Sequence, residues 1–275
     1  MIDLKGNLMK TVTDPVTKEM LVTELKKLGI SSNQILEVHS RLSAFDYVIG
    51  GARTVVDALM EIAEDNGTLL MPTQTSDNSE PSDWENPAIA PELYKEIRDS
   101  IPPYDASKSD LTYMGSVVEN FRHRDGVIIS NHPEVSYAAW GRYARLLCNR
   151  QSLHFPLAEE SPVARLYELK GNVLLLGVDF DCVTCMHLAE YRCEARPIQI
   201  HGSCVQTENG PTWKKYLDLN IDSSEFIKVR QIMQRKNMIR QTTIGGCKIM
   251  YFSASAAIDE ATNYLERTQV FELYR

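Results

Sequence analysis

The chain alternates between two hydrophobic periods. From Lys18 to Leu28 the apolar residues Met20, Leu21, Leu25 and Leu28 fall near a 3.6-residue repeat, which predicts a helix that Gly29 can end. Ile35 to Val38 reads as a short strand running into the polar turn His39-Ser-Arg-Leu-Ser43. Gly50-Gly51 precede a second helix, Thr54 to Ala63, with Val55, Val56, Leu59 and Ile62 on one face. Asn66-Gly67 marks a turn, and Thr68 to Met71 is the next strand. Strand, loop, helix and strand in this order are the signature of an α/β protein with parallel pairing.

The pattern then breaks. From Pro72 to Tyr104 the chain is polar and rich in proline, with one expected helix at Glu92 to Asp99. A loop this long in a compact domain is usually functional. Gly115 to Phe121 reads as helix, Val127 to Ile129 as strand, and Ala138 to Cys148 fits either. Ser161 caps a helix with proline in its first turn, and Gly171 stops it. Val173 to Val178 is the clearest buried strand, with a helix expected from Thr184 to Arg192. Near the end, Cys247 to Phe252 reads as strand and Ala254 to Glu266 as helix.

Composition narrows the class. The 275 residues are 43 % hydrophobic and 24 % charged, the balance of a folded globular protein. No linker or repeat interrupts the chain, so one domain over residues 1–275 is expected, with 72–104 as a long polar insertion near the site. A formal net charge of −8 argues against a nucleic-acid partner and is compatible with a small cationic one. Met1 to Lys10 has no basic stretch followed by an apolar one, and no apolar run approaches the roughly 20 residues of a membrane span. A cytoplasmic protein with no membrane partner is therefore expected. The oligomeric state is left open, a homodimer included.

Candidate chemistry is sparse. There is no Gly-x-Gly-x-x-Gly, no phosphate loop ending Gly-Lys-Ser/Thr, and no Gly-x-Ser-x-Gly elbow. Cys182 and Cys185, with His187 and Cys193 nearby, invite a zinc reading, but no second ligand pair stands at a recognised spacing, so free thiols and no metal are expected. His187 and Glu190, at i and i+3 of the expected helix, share one face just after the most buried strand. A carboxylate can orient an imidazole and raise its basicity there, although an ordinary surface pair has the same spacing.

Longer segments are more specific. Val38-His-Ser-Arg-Leu-Ser43, Gly50-Gly-Ala-Arg-Thr-Val-Val-Asp-Ala-Leu59, Gly67-Thr-Leu-Leu-Met-Pro-Thr73, Pro81-Ser-Asp-Trp84 and Met114-Gly-Ser-Val-Val-Glu119 come first. His132-Pro-Glu-Val-Ser-Tyr-Ala-Ala-Trp-Gly141, Phe155-Pro-Leu157, Ser161 to Leu169, Val173 to Gly177 and His187-Leu-Ala-Glu-Tyr-Arg192 follow. In these segments and their order the chain resembles the aminoglycoside N3-acetyltransferases, antibiotic N-acetyltransferases that use acetyl-CoA.

The resemblance implies an α/β/α sandwich around a central mixed sheet, distinct from the GCN5-type fold. It implies acetyl transfer from acetyl-CoA to the 3-amino group of a 2-deoxystreptamine aminoglycoside by direct attack. His187 would be the general base, with Glu190 orienting it. Ser40, Arg41, Leu42 and Ser43 would lie along the pantetheine and phosphates of CoA, and Met114 and Gly115 would form a second CoA-contacting stretch. Thr112 is a candidate hydroxyl beside them, and Asp77, Asp83 and Glu119 are candidates for gripping ammonium groups. His39 is expected to hold the strand-end loop, and His132 to start a structural turn with Pro133. Two departures from the family stand out: Arg41 in place of a second serine, and the cysteine-rich Asp181-Cys-Val-Thr-Cys-Met186. They leave open an N-acyltransferase acting on another amine. A non-catalytic CoA-binding or sensing protein is the alternative from a different class.

Overall fold

The computed structural model describes residues 11–64, 66–75, 77–111, 113–193 and 196–268; Thr112 and the Met1–Lys10 segment lie outside them. Nine strands lie at Ile35–Ser40 (β1), Thr68–Pro72 (β2), Ile128–Ile129 (β3), Tyr137–Gly141 (β4), Asn172–Leu176 (β5), Ile198–Thr207 (β6), Gly210–Leu219 (β7), Arg240–Ile244 (β8) and Cys247–Ser253 (β9) among the described residues. The helices are Lys18–Lys27 (α1), Gly51–Ala63 (α2), Tyr94–Ser100 (α3), Gly115–Arg122 (α4), Ala144–Cys148 (α5), Pro162–Glu168 (α6), Leu188–Arg192 (α7), Phe226–Arg235 (α8) and Ala254–Thr268 (α9).

Seven strands form a mixed sheet in the order β3-β4-β2-β1-β5-β9-β8. Parallel pairing holds for β1 with β2 and with β5, and the other neighbours run antiparallel. Strand alternation divides the core. Val173 and Leu175 face the layer containing α5, α6, α8 and α9, while Leu174 and Leu176 face α1, α2 and α4. A strand covered on both faces must be apolar throughout, hence the unbroken run at Val173 to Leu176. The outer helices follow from their own sequences. Thr17 caps α1 by accepting from Met20 N, and Ser161 caps α6 by accepting from Ala164 N.

Two sequence expectations change form. Ala138 to Cys148 is both strand and helix, because the positive φ of Gly141 turns the chain between β4 and α5. The expected Thr184–Arg192 helix is a 3-10 turn, Thr184–His187, continued by α7. Residues 198–219 are assigned no element from the sequence. They form an antiparallel ribbon, β6–β7, apart from the main sheet. The polar 72–104 segment leans on this ribbon: Asn78 exchanges hydrogen bonds of 2.8 Å with the Cys204 backbone, and Tyr104 N donates to the Cys204 carbonyl.

The parallel register positions the site. Pairing of His39 with Leu175 and Ser40 with Leu176, and of β1 with β2, brings three carboxyl-terminal strand ends to one edge of the sheet. Such edges collect ligands in open α/β sheets.

Candidate active site

A cleft of about 840 Å³ opens at that edge. One wall is the chain leaving β1, from Val38 to Val48. Pro72 at the end of β2, the Tyr113–Val118 segment, and the Val178–His187 turn after β5 supply the others. Gly177 permits the close packing beside it: its φ is positive and a Cβ there would run into Ala44. Helices α2 and α4 both begin at the cleft, at Gly51 and Gly115, and so bring the positive ends of their dipoles to it.

His187 lies in this wall, 9 % exposed, with the Phe226 ring 5.0 Å away centroid to centroid. Its Nδ1–H donates to Glu190 Oε2 at 2.5 Å, which leaves Nε2 as the nitrogen for the cleft. The turn-to-helix junction makes this pairing possible, since His187 closes the 3-10 turn and Glu190 sits in the first turn of α7. Glu190 is fully buried, so its charge requires more than one partner. Arg196 Nε donates to Oε1, as does Asp222 N at 3.1 Å. Arg196 is itself held by the Asp222 carbonyl at 2.9 Å. Arg196 and Asp222 carried no signal in the sequence, because their roles arise only when chain following α7 and chain following β7 meet.

The candidate CoA residues come together. Ser40, Arg41, Leu42, Ser43, Met114 and Gly115 all line the cleft. Ser40 Oγ is buried there without a hydrogen-bond partner. The candidate substrate carboxylates do not line it. Glu119 points to a separate shallow surface pocket and pairs with Arg122 and His123. Asp77 and Asp83 are exposed on the segment that leans toward the ribbon, with Asp77 accepting from Asp110 N. Among the described residues the carboxylates lining the cleft are Asp46 and Asp181.

The remaining histidines divide clearly. His132 is structural: Nδ1 accepts from the backbone N–H groups of Glu134 and Val135, Nε2 donates to the Leu153 carbonyl, and burial pushes its pKa down to about 4. His39 differs from its expected role of loop support. It lines the cleft, with Nε2 3.4 Å from the buried Glu37 carboxylate. The six cysteines are free, and among the described residues no group of three or more His, Cys, Asp or Glu is arranged for a metal ion. No helix among them is long and apolar enough to cross a membrane.

Comparison with known proteins agrees with the fold. A Bacillus subtilis prophage-derived aminoglycoside N(3')-acetyltransferase-like protein, YokD, is 36 % identical over 258 residues, covering 94 % of this chain and 95 % of its own. Its crystal structure superposes with a TM-score of 0.91, covering 94 % of this chain and 96 % of the other. Aminoglycoside N(3)-acetyltransferase VIII of Streptomyces fradiae is 34 % identical, covering 82 % and 78 %. The crystal structure of aminoglycoside acetyltransferase AAC(3)-Xa, 28 % identical, gives a TM-score of 0.85 over 93 % of this chain and 94 % of the other. Residues 38–266 match the aminoglycoside 3-N-acetyltransferase family model, and the chain belongs to that family.

Proposed function

We propose that the protein transfers the acetyl group of acetyl-CoA to the 3-amino group of a 2-deoxystreptamine aminoglycoside, by direct attack with His187 as general base. The observation that carries this reading is the His187–Glu190 pair, set in the wall of a cleft at the carboxyl edge of the sheet. The neutral amine attacks the thioester carbonyl while His187 Nε2 accepts its proton. The carbon–sulfur bond then breaks, and the imidazolium returns a proton to the departing CoA thiolate. Glu190 holds the tautomer that makes Nε2 the acceptor and stabilises the imidazolium.

The other walls suit the donor. CoA is long and anionic, and the starts of α2 and α4 together with Arg41 offer N–H groups and positive charge for its phosphates. The orphan hydroxyl of Ser40 is a donor for the carbonyl oxygen as negative charge develops on it. Acetyl-CoA is a co-substrate in this reading, and no resident metal is needed.

A second reading, transfer to a less cationic amine, is favoured by one observation. Asp77, Asp83 and Glu119 stand outside the cleft, and its wall carries Cys182 and Thr184 where a polycation would be served by acids. A thiol-release assay with acetyl-CoA against 2-deoxystreptamine aminoglycosides and small amines separates the two. Release with an aminoglycoside, and a product that NMR shows to be acetylated at N3, is the expected result. Release only with other amines establishes the second reading, and no amine-dependent release overturns both.

A further inference from the structure

The cleft holds a second imidazole–carboxylate pair that the reaction above leaves unused. Glu37 and His39 lie two apart on β1, so their side chains leave the same face of the sheet. Glu37 is fully buried and His39 is 6 % exposed. Tyr137 donates to Glu37 Oε1 at 2.9 Å, and the Cys185 thiol lies beside the same carboxylate. Oε2 and His39 Nε2 face each other at 3.4 Å, outside hydrogen-bond geometry, and neither has a hydrogen-bond partner among the described residues. Burial opposes ionisation of Glu37, but His39, Cys185 and Tyr137 together hold its carboxyl below the usual range. Unlike Glu190, which has Arg196, this buried carboxylate has no guanidinium or ammonium partner within ion-pair distance among the described residues. A buried charge in that position favours arrival of a proton or cation beside it. With Nε2 on the Glu37 side, Nδ1 is the remaining ring nitrogen of a residue that lines the cleft.

Attack requires a neutral amine, yet an aliphatic amine reaches the protein mostly as ammonium. The overall reaction must therefore dispose of two protons, one from the ammonium before attack and one from the nitrogen during it. We propose that His39, oriented by Glu37, accepts the first proton and that His187 accepts the second, a division of labour that rests on the amine-acetylation reading above. The ammonium N–H bond breaks, its electron pair stays on nitrogen, and His39 Nδ1 becomes protonated. The neutral amine then attacks acetyl-CoA as His187 takes the second proton, which passes to the CoA thiolate. His39 releases its proton to solvent, so ammonium and acetyl-CoA give amide, CoASH and one proton. His39 is thus a catalytic residue, and Glu37 a positioning residue acting through it.

The groups around His39 fix the conditions of the test. Glu37 lies on its own strand, Tyr137 comes from β4, and Cys185 belongs to the turn that ends at His187. His187, Arg41, Asp46 and Asp181 line the same cleft, with the Cys182 thiol and the exposed phenols of Tyr47 and Tyr113. Each keeps its place in a His39→Gln variant, so the wild-type comparison isolates the imidazole.

The experiment is kcat/KM for the amine against pH, at saturating acetyl-CoA, for wild type, His39→Gln and Glu37→Gln, with thermal melts to establish folding. The wild type should stay nearly flat below the pKa of the amine. His39→Gln should fall about tenfold per pH unit there, tracking the neutral fraction of the amine, and should approach wild type above that pKa. Glu37→Gln should bend the same way by a smaller factor. If both folded variants lower kcat/KM by one constant factor at every pH, or leave it unchanged, the proposal is overturned while acetyl transfer stands. Should His39→Gln fail to fold, the Glu37→Gln profile decides by the same criterion. Absence of amine-dependent turnover by the wild type overturns the acetyl-transfer reading and this proposal with it.

Discussion

Two histidines share the cleft, and their carboxylates are neutralised differently. Glu190 receives His187 Nδ1–H, Arg196 and a backbone N–H, so its charge is compensated whichever state His187 is in. Glu37 receives the Tyr137 phenol, with the Cys185 thiol and, at 3.4 Å, His39 beside it. The first arrangement suits a base that cycles through its cation, because its orientation does not depend on that cation. The second couples charge to occupancy more tightly. A buried acid thus acts according to its other partners, and the histidine alone does not define its role.

That comparison can be broken at several points. His187→Ala should have the largest effect, lowering acetyl transfer about 10²- to 10⁴-fold, the usual worth of a general base. Arg196→Met should come next. It strips a buried carboxylate of its cation and should cost about 3–5 kcal/mol in denaturant unfolding, with little change in the denaturant slope. An unchanged midpoint would show that Glu190 does not depend on Arg196.

Glu37→Gln sharpens the other half. The native carboxyl sits below its ordinary range, so its contribution to stability is present above the unfolded value and is lost as pH falls through the folded one. The melting-temperature gap between wild type and Glu37→Gln should therefore be widest near neutrality and close below about pH 4. A gap that grows on acidification would reverse the assigned sign. The smallest effect is expected from Asp181→Asn. Asp181 is an exposed acid on the cleft wall, and its loss should raise KM for a cationic amine by no more than about fivefold.

The two pairs also differ in how visible they are in the sequence. His187 and Glu190 are four letters of one helix-like segment, and their neighbours resemble a known family, so both could be named before any coordinates. Glu37 reads as a polar position in the short strand Ile35 to Val38, and His39 as the start of the polar turn after it. Their burial depends on Tyr137, a hundred residues away, and on Cys185. Strands buried on both faces, such as β5, were equally legible, because only an unbroken apolar run fits there. The β6–β7 ribbon was not assigned, since its alternating Ile198 and Ile200 are exposed and its pairing relies on backbone hydrogen bonds, which a sequence does not display. Helix α8 did carry a signal, Phe226, Val229 and Met233 on one buried face, in a stretch left unassigned between the ribbon and β9. The candidate acids lie outside the cleft for a related reason: loop acidity is visible in a sequence, but the direction in which a loop leans is decided by partners such as Asn78 and Cys204.

The central claim is that His187 performs the chemistry in a cleft that binds CoA without its help. The most direct measurement pairs thiol release from acetyl-CoA, in the presence of an accepted amine, with calorimetric CoA affinity, for wild type and His187→Ala. The account predicts that release collapses in the variant while CoA affinity stays within about threefold of wild type, a difference below 1 kcal/mol. Undiminished release by a folded His187→Ala protein would contradict it.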